Sequence, residues 1–227
     1  MDTAPGNSRP VRSGQAGPHE DLARVVRRHL DTPFLRPVGD ASRAAYERFL
    51  SAWDGRAPLV LDAGCGVGDS TRRLAARHPE AMVVGVDQSA DRLARRRPEP
   101  LPENALLLRA DLVDFWRLAL ADGVRLAHHY LLYPNPWPKV GHLKRRWHGH
   151  PVFPALLALG GRIELRSNWP TYVEEFALAL ELAEPSRRPR RDLLGTSELA
   201  DPLTPFERKY AASGQRLFRL VAGPCAG

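Results

Sequence analysis

The run Leu61-Asp62-Ala63-Gly64-Cys65-Gly66-Val67-Gly68-Asp69 places three glycines two residues apart, with carboxylates on either side. Glycines in such a loop let the backbone turn tightly and approach a ligand closely. The dinucleotide fingerprint is G-x-G-x-x-G, whereas here Gly64, Gly66 and Gly68 alternate and position 69 is acidic. Asp62 and Asp69 would repel a pyrophosphate, so the ligand they suit is cationic or neutral. S-adenosylmethionine has that character, with a sulfonium, an ammonium and no phosphate. Asp87 stands 19 residues past Gly68, at the end of a second apolar run. A carboxylate there can accept both hydroxyls of a ribose. Asp111, just past a third such run, is placed to meet an adenine amine. Taken alone, Asp62 reads as a turn cap. The glycines with Asp87 and Asp111 at successive strand ends read as a nucleoside-cofactor site.

A second constellation is Tyr133-Pro134-Asn135-Pro136-Trp137-Pro138-Lys139, followed by His142, Lys144, Arg145, Arg146, His148 and His150. Three prolines in five residues stiffen the loop. Aromatic side chains among cations suit the bases and phosphates of a nucleic acid; the bland alternative for each cation is a solvated face. His148-Gly-His150 has no carboxylate or cysteine close by in sequence, so no metal is expected there. Cys65 and Cys225 are too few for a disulfide framework or a zinc site and read as free thiols.

These residues need strands and helices to position them. Strands are expected at 59–61, 82–86, 105–108, 126–133, 162–166 and 217–221, and helices at 20–30, 40–52, 69–77, 89–97, 112–121, 153–159 and 171–184. Strands alternating with helices imply an α/β fold, a doubly wound and mostly parallel sheet covered on both faces. Loops at the carboxyl ends of such strands carry the chemistry. Residues 1–19, rich in Gly, Pro, Ser and Arg, read as a disordered basic tail. Residues 20–227 read as a single domain with an N-terminal helical extension, and 185–202 as an irregular excursion. Trp53, Trp116, His128 and His129 read as packing or strand-end residues, and Arg187 to Arg191 as either an RNA contact or an exposed loop.

The chain has 227 residues, 43% hydrophobic and 26% charged, which excludes a mainly disordered or fibrous protein. No apolar stretch approaches the roughly 18 residues that cross a bilayer, and the N-terminus lacks an apolar signal core. A cytoplasmic protein without a membrane partner is expected. The formal charge is +7, and only three of the 33 basic residues are lysines, at 139, 144 and 209. The clustering of cations at 95–97, 139–150 and 187–191 says more than the sum, and suits a polyanion.

The glycine loop with its carboxylates is similar to that of the class I S-adenosylmethionine-dependent methyltransferases, over roughly 55–222. That resemblance implies a Rossmann-like seven-stranded sheet, six strands parallel and one antiparallel near the C-terminus. Pro134-x-Pro-Trp-Pro-Lys139, His142-x-Lys-Arg-Arg146, Gly160-Gly161 with Asn168-Trp169, and Thr204-Pro205-Phe206-Glu207 together resemble the tRNA (guanine-N7)-methyltransferase family. The resemblance implies methyl transfer to N7 of a guanine in the tRNA variable loop, with tRNA as partner. It implies a cofactor set of Asp62, Gly64, Gly66, Gly68, Asp87, Gln88, Asp111 and Asn135, with Asn135 also at the catalytic position. It implies substrate contacts from Lys139, Lys144, Arg145, Arg146, Asn168, Thr204, Phe206 and Glu207, with Thr204 to Glu207 closing over the site.

Two positions depart from the family pattern: Asn135 and Asn168 stand where the family usually has Asp. Guanine N7 has an in-plane lone pair and no proton, so the reaction needs alignment rather than a base. An amide at 135 can still orient a base but cannot offset developing positive charge. Asn135-Pro-Trp-Pro is also similar to the Asn-Pro-Pro-aromatic loop of amino-group methyltransferases, though Trp137 and Pro138 do not match it. Methylation of an exocyclic amine, of another RNA or of a small molecule is therefore the alternative chemistry, and a non-catalytic RNA-binding relative is the alternative class. Monomer and homodimer are both open.

Overall fold

The structure is a computed structural model and describes residues 6–95 and 100–223. Arg96, Arg97 and Cys225 lie outside the described residues. The strands are β1 (Leu59–Ala63), β2 (Met82–Asp87), β3 (Ala105–Arg109), β4 (His128–Leu132), β5 (Arg162–Ser167), β6 (Arg190–Leu193) and β7 (Phe218–Ala222), in sheet order β3-β2-β1-β4-β5-β7-β6. The helices are α1 (Leu22–Asp31), α2 (Asp40–Ala52), α3 (Asp69–Arg77), α4 (Ala90–Leu93), α5 (Leu112–Ala121), α6 (Phe153–Ala158), α7 (Pro170–Ala183), α8 (Thr196–Ala200) and α9 (Pro205–Ala212). No helix among the described residues is long and apolar enough to cross a membrane.

The described chain divides into two compact units. One holds residues 35–132 and 155–162, the other the N-terminal segment through Phe34, Tyr133–Pro154 and everything from Ile163 onward. The chain leaves and re-enters each unit.

In the first of these units β1 pairs in parallel with β2 and β4, and β2 with β3. Every residue of β1 is buried, as expected for a strand covered on both faces. Asp62 pairs with Gly85 in the register of β1 and β2. A Cβ at Gly85 would stand 2.2 Å from Thr71 Oγ1 and 2.7 Å from Leu107 Cδ2, so glycine is what lets α3 lie this close to the strand. Helices α2 and α5 join through Tyr46, Phe49 and Phe115, whose ring centroids are 5.5–5.6 Å apart. Trp53 stacks on Phe49 at 5.5 Å, and buried Trp116 donates from Nε1 to His129 Nε2 at 3.1 Å.

In the other unit β7 runs antiparallel to both β5 and β6. Helix α7 buries Tyr172, Val173, Phe176, Ala177 and Leu180, and α1 packs on it with Leu22, Val25 and Val26 inward. That i, i+3, i+4 spacing is the apolar stripe of a surface helix.

The structure departs from expectation in three places. Residues 185–202 are not wholly irregular: they contain β6 and α8. All four residues of β6 are exposed, and its partner β7 alone makes it a strand. The helix expected at 89–97 ends at Leu93. Residues 6–19, expected to be disordered, are seated by hydrogen bonds. Gly6 N donates to Ala212 O, Ser13 Oγ to Pro138 O at 2.6 Å, and His19 N to Glu175 Oε1 at 2.9 Å. The segment has few apolar anchors; it is held by satisfying polar groups.

Candidate functional site

The glycine loop joins β1 to α3. Gly64, Gly66 and Gly68 have φ of 84°, 60° and 83°, a left-handed region that costs an L side chain roughly 1–2 kcal/mol per residue. A Cβ added at Gly64 or Gly66 would meet nothing within 4 Å, so the space over the loop is open. Beneath it lies Asp62, 1% exposed. Its Oδ2 accepts from Ser70 Oγ at 2.6 Å and Thr71 Oγ1 at 2.7 Å, while its buried Oδ1 has no hydrogen-bond partner. Burial first, and the nearby Asp87 charge, push this carboxyl up to about 6 against the pull of the two hydroxyls.

Asp87 ends β2. Its Oδ2 accepts from Gly66 N at 3.0 Å and its Oδ1 from Ser89 N at 2.8 Å. Each oxygen keeps a lone pair. Arg92 NH1 approaches Oδ2 at 3.8 Å, from a half-exposed side chain. Gln88 beside it is exposed. Asp111 caps α5, with Oδ1 accepting from Val113 N at 2.9 Å and Oδ2 from Arg36 at 3.0 Å. Arg36 also bonds Asp114 at 2.5 Å, so Asp111 is held in place by an arginine that the sequence reading did not single out.

This loop is suited to a cationic nucleoside cofactor. It offers an orphaned buried carboxylate oxygen, an open glycine cradle and a second carboxylate at the next strand end. A diphosphate in the cradle would meet both acids.

The acceptor loop lies in the other unit, after Tyr133. Tyr133 and Trp137 both have positive φ, 53° and 46°, a strained arrangement for bulky residues. Asn135 is exposed, and its Oδ1 accepts from Trp137 N at 3.3 Å. Its amide NH2 is left to donate outward. Arg145 lies 4.7 Å over the Trp137 ring, and His142 meets the ring edge-on at 5.5 Å. Burial, then the charges of Arg145, Lys139 and Arg146, lower the His142 pKa. Lys139, Lys144 and Arg145 are exposed and make this surface cationic.

Arg146, expected to contact RNA, is fully buried and cannot reach a phosphate. It instead holds the loop. Its NH1 bonds both oxygens of buried Glu175, at 2.8 and 2.6 Å. Its Nε and NH2 donate to Trp137 O at 3.2 and 3.1 Å, and NH2 also to Lys139 O at 3.3 Å and Gln15 Oε1 at 3.1 Å. His148 Nε2 lies 2.8 Å from Glu175 Oε2, its buried Nδ1 has no hydrogen-bond partner, and burial lowers its pKa against the pull of Glu175. Glu175 escaped the sequence reading. The available signal was an acid set into the apolar stripe Tyr172, Val173, Phe176 and Leu180.

The remaining expected residues divide. Asn168 Nδ2 donates to Gln215 Oε1 at 2.9 Å. Thr204 and Glu207, placed among the substrate contacts, are buried. Thr204 Oγ1 caps α9 by accepting from Glu207 N at 3.0 Å. Glu207 Oε1 pairs with Arg166 at 2.7 Å, its Oε2 has no hydrogen-bond partner, and burial raises its pKa. Phe206 is 46% exposed. Among the described residues no group of three His, Cys, Asp or Glu could hold a metal ion.

Residues 56–220 match a family model described as "Putative methyltransferase". The chain is 32% identical over 231 residues to a tRNA (guanine-N(7)-)-methyltransferase of Thiobacillus denitrificans, covering 96% of this chain and 98% of that one. It is 31% identical over 181 residues to the protein of the same name from Alkalilimnicola ehrlichii, covering 74% and 73%. Among solved structures it is similar to an antibiotic-related methyltransferase (TM-score 0.57, 12% identity, 85% and 96% covered) and to the 16S rRNA methyltransferase KamB (TM-score 0.55, 22% identity, 84% and 97% covered). The structural likenesses concern the fold alone.

Proposed function

The chain belongs to the tRNA (guanine-N7)-methyltransferase family, and from that premise we propose that it transfers a methyl group from S-adenosylmethionine to N7 of a guanine in tRNA, in the variable loop, acting in the cytoplasm. The observation that carries the cofactor half is Asp62: a buried carboxylate with one oxygen unsatisfied, beneath an open glycine loop. S-adenosylmethionine supplies an electrophilic methyl on a cationic sulfur.

The chain's own residues then divide the work. Asp62 offers negative charge to the positive end of the cofactor. Asp87 offers two oxygens to the ribose hydroxyls, and the N–H bonds it accepts from Gly66 and Ser89 hold it in position. Asp111, fixed by Arg36 and by its helix cap, is the candidate for the adenine amine. Lys139, Lys144 and Arg145 take phosphates of the tRNA. Asn135 orients the guanine through its exposed amide, which Trp137 N holds in place by donating to Oδ1. No group need accept a proton before attack, since N7 carries none. The positive charge that develops on the base is met by an amide dipole rather than a carboxylate.

The test is incubation with S-adenosylmethionine and bulk tRNA, followed by nucleoside mass spectrometry. N7-methylguanosine is the expected product. N6-methyladenosine in its place would assign the protein to amino-group chemistry, and no methylated nucleoside would overturn the proposal.

A further inference from the structure

Helix α9 turns its one acid inward: Glu207 is fully buried on Arg166. What faces solvent is aromatic and cationic. Phe206 is 46% exposed, and Arg208 and Lys209 are exposed with no side-chain hydrogen bond or ion pair among the described residues. The Phe206 ring stacks on Tyr210, one turn further on, with centroids 6.1 Å apart and planes at 26°. Tyr210 in turn lies 5.6 Å from Tyr133. Tyr133 is the residue from which the acceptor loop starts. Three rings therefore lead from solvent to the root of the loop that carries Asn135.

We propose that Phe206 and Tyr210 form a stacking platform for an unstacked base of the RNA substrate, with Arg208 and Lys209 holding the phosphates beside it. The proposal rests on the tRNA reading above and adds a recognition mode and three residues, Arg208, Lys209 and Tyr210. An exposed aromatic flanked by unpaired cations is what single-stranded RNA requires: a π face for a base and charge for its backbone. Folding alone gives no reason to leave Phe206 out, since a half-exposed ring realises only part of its burial energy. A second copy of this chain is a poor occupant, because it would bring a cationic face against a cationic face. Tyr210 is half-buried, and burial raises its pKa, so its ring is neutral and available to stack at physiological pH.

The experiment uses the full chain, bulk tRNA and four variants: Phe206→Ala, Phe206→Trp, Arg208→Gln and Lys209→Gln. Affinity for tRNA is read across a salt series, affinity for S-adenosylmethionine by calorimetry, and oligomeric state by light scattering. Phe206→Ala is expected to weaken tRNA binding about tenfold, within the range for one stacked base, while Phe206→Trp keeps wild-type affinity. Each cation variant is expected to lower the salt slope by about one. Affinity for S-adenosylmethionine and melting temperature stay unchanged. The proposal is overturned if Phe206→Ala binds tRNA within twofold of wild type, if it weakens the cofactor as much as the tRNA, or if it alters the oligomeric state. Failure of the wild-type protein to form N7-methylguanosine would instead strike the functional reading, since it is scored on the product and not on these affinities.

Discussion

Replacing Glu175 by Gln tests whether the acceptor loop hangs on a buried ion pair. In the wild type, Arg146 and Glu175 have fully buried side chains and meet at 2.6 Å, and both Glu175 oxygens bond to NH1. The Glu175→Gln side chain would keep one acceptor but leave the guanidinium without a counter-charge. Removing one partner of a buried pair costs about 3–5 kcal/mol; the lower end applies here because the amide oxygen can still accept. At about 2–4 °C per kcal/mol for a chain of this size, the melting temperature should fall by about 6–12 °C. Arg191→Gln is the control: Arg191 pairs with Glu174 and Glu181, and all three side chains are more than a third exposed. Such pairs contribute about 0–1 kcal/mol, so the control should shift by no more than about 4 °C. The double variant Arg146→Met/Glu175→Leu leaves neither charge of the pair behind and should recover at least half of the lost melting temperature. It should not recover methylation, because the carbonyls of Trp137 and Lys139 lose their donor. Differential scanning calorimetry and the tRNA assay read both. A Glu175→Gln melting point within about 2 °C of wild type, or a fully active double variant, would rule out the buried pair as the anchor of the loop. The same pair predicts an acid limit. Burial alone would raise the Glu175 carboxyl, but the bonds and charges of His148 and Arg146 hold it at about 2, below its ordinary 4.5. Its stabilising contribution is therefore complete above about pH 4.5 and is lost as pH falls toward 2.

Three further outcomes are expected. Asp62 titrates near 6 in the folded chain, above its ordinary 3.8, so its charged form is disfavoured below about 6; affinity for S-adenosylmethionine should rise as pH increases through that value and then level off, and Asp62→Asn should flatten the curve. A wild-type affinity that does not change between about pH 5 and 8 would remove Asp62 from the site. Asp87→Asn removes the ionised acceptor for the ribose hydroxyls and should weaken the cofactor about 10- to 150-fold, at about 1.5–3 kcal/mol per charged hydrogen bond, with tRNA affinity intact; equal losses for both ligands would contradict this. Asn135→Asp places a charge beside the developing cation and should raise the single-turnover rate about 3- to 10-fold, or ~1 kcal/mol of barrier; an equal or slower rate counts against the role given to Asn135.

Local chemistry was legible in the residues themselves. The glycine spacing pointed to a tight turn, and Gly64, Gly66 and Gly68 make it with positive φ. The apolar runs at 59–61 and 82–86 foretold buried strands, and helix 69–77 has the bounds its periodicity implied. These signals lie within a few residues of one another, so the chain carries them before it folds. Other features depend on partners far away in sequence. Strand β6 is Arg-Arg-Asp-Leu, exposed throughout, and only its pairing with β7, some 30 residues on, makes it a strand. Arg146 belongs to a cationic run and looks like an RNA contact; Glu175, 29 positions later, draws it into the interior. Residues 6–19 have the composition of a disordered tail, yet Ser13 and Gln15 are held by Pro138 and by Arg146 and Glu175. Composition and period set which conformations a segment can adopt, whereas the choice of solvent or a buried partner for a polar group is made only when long-range packing decides which groups lose their water.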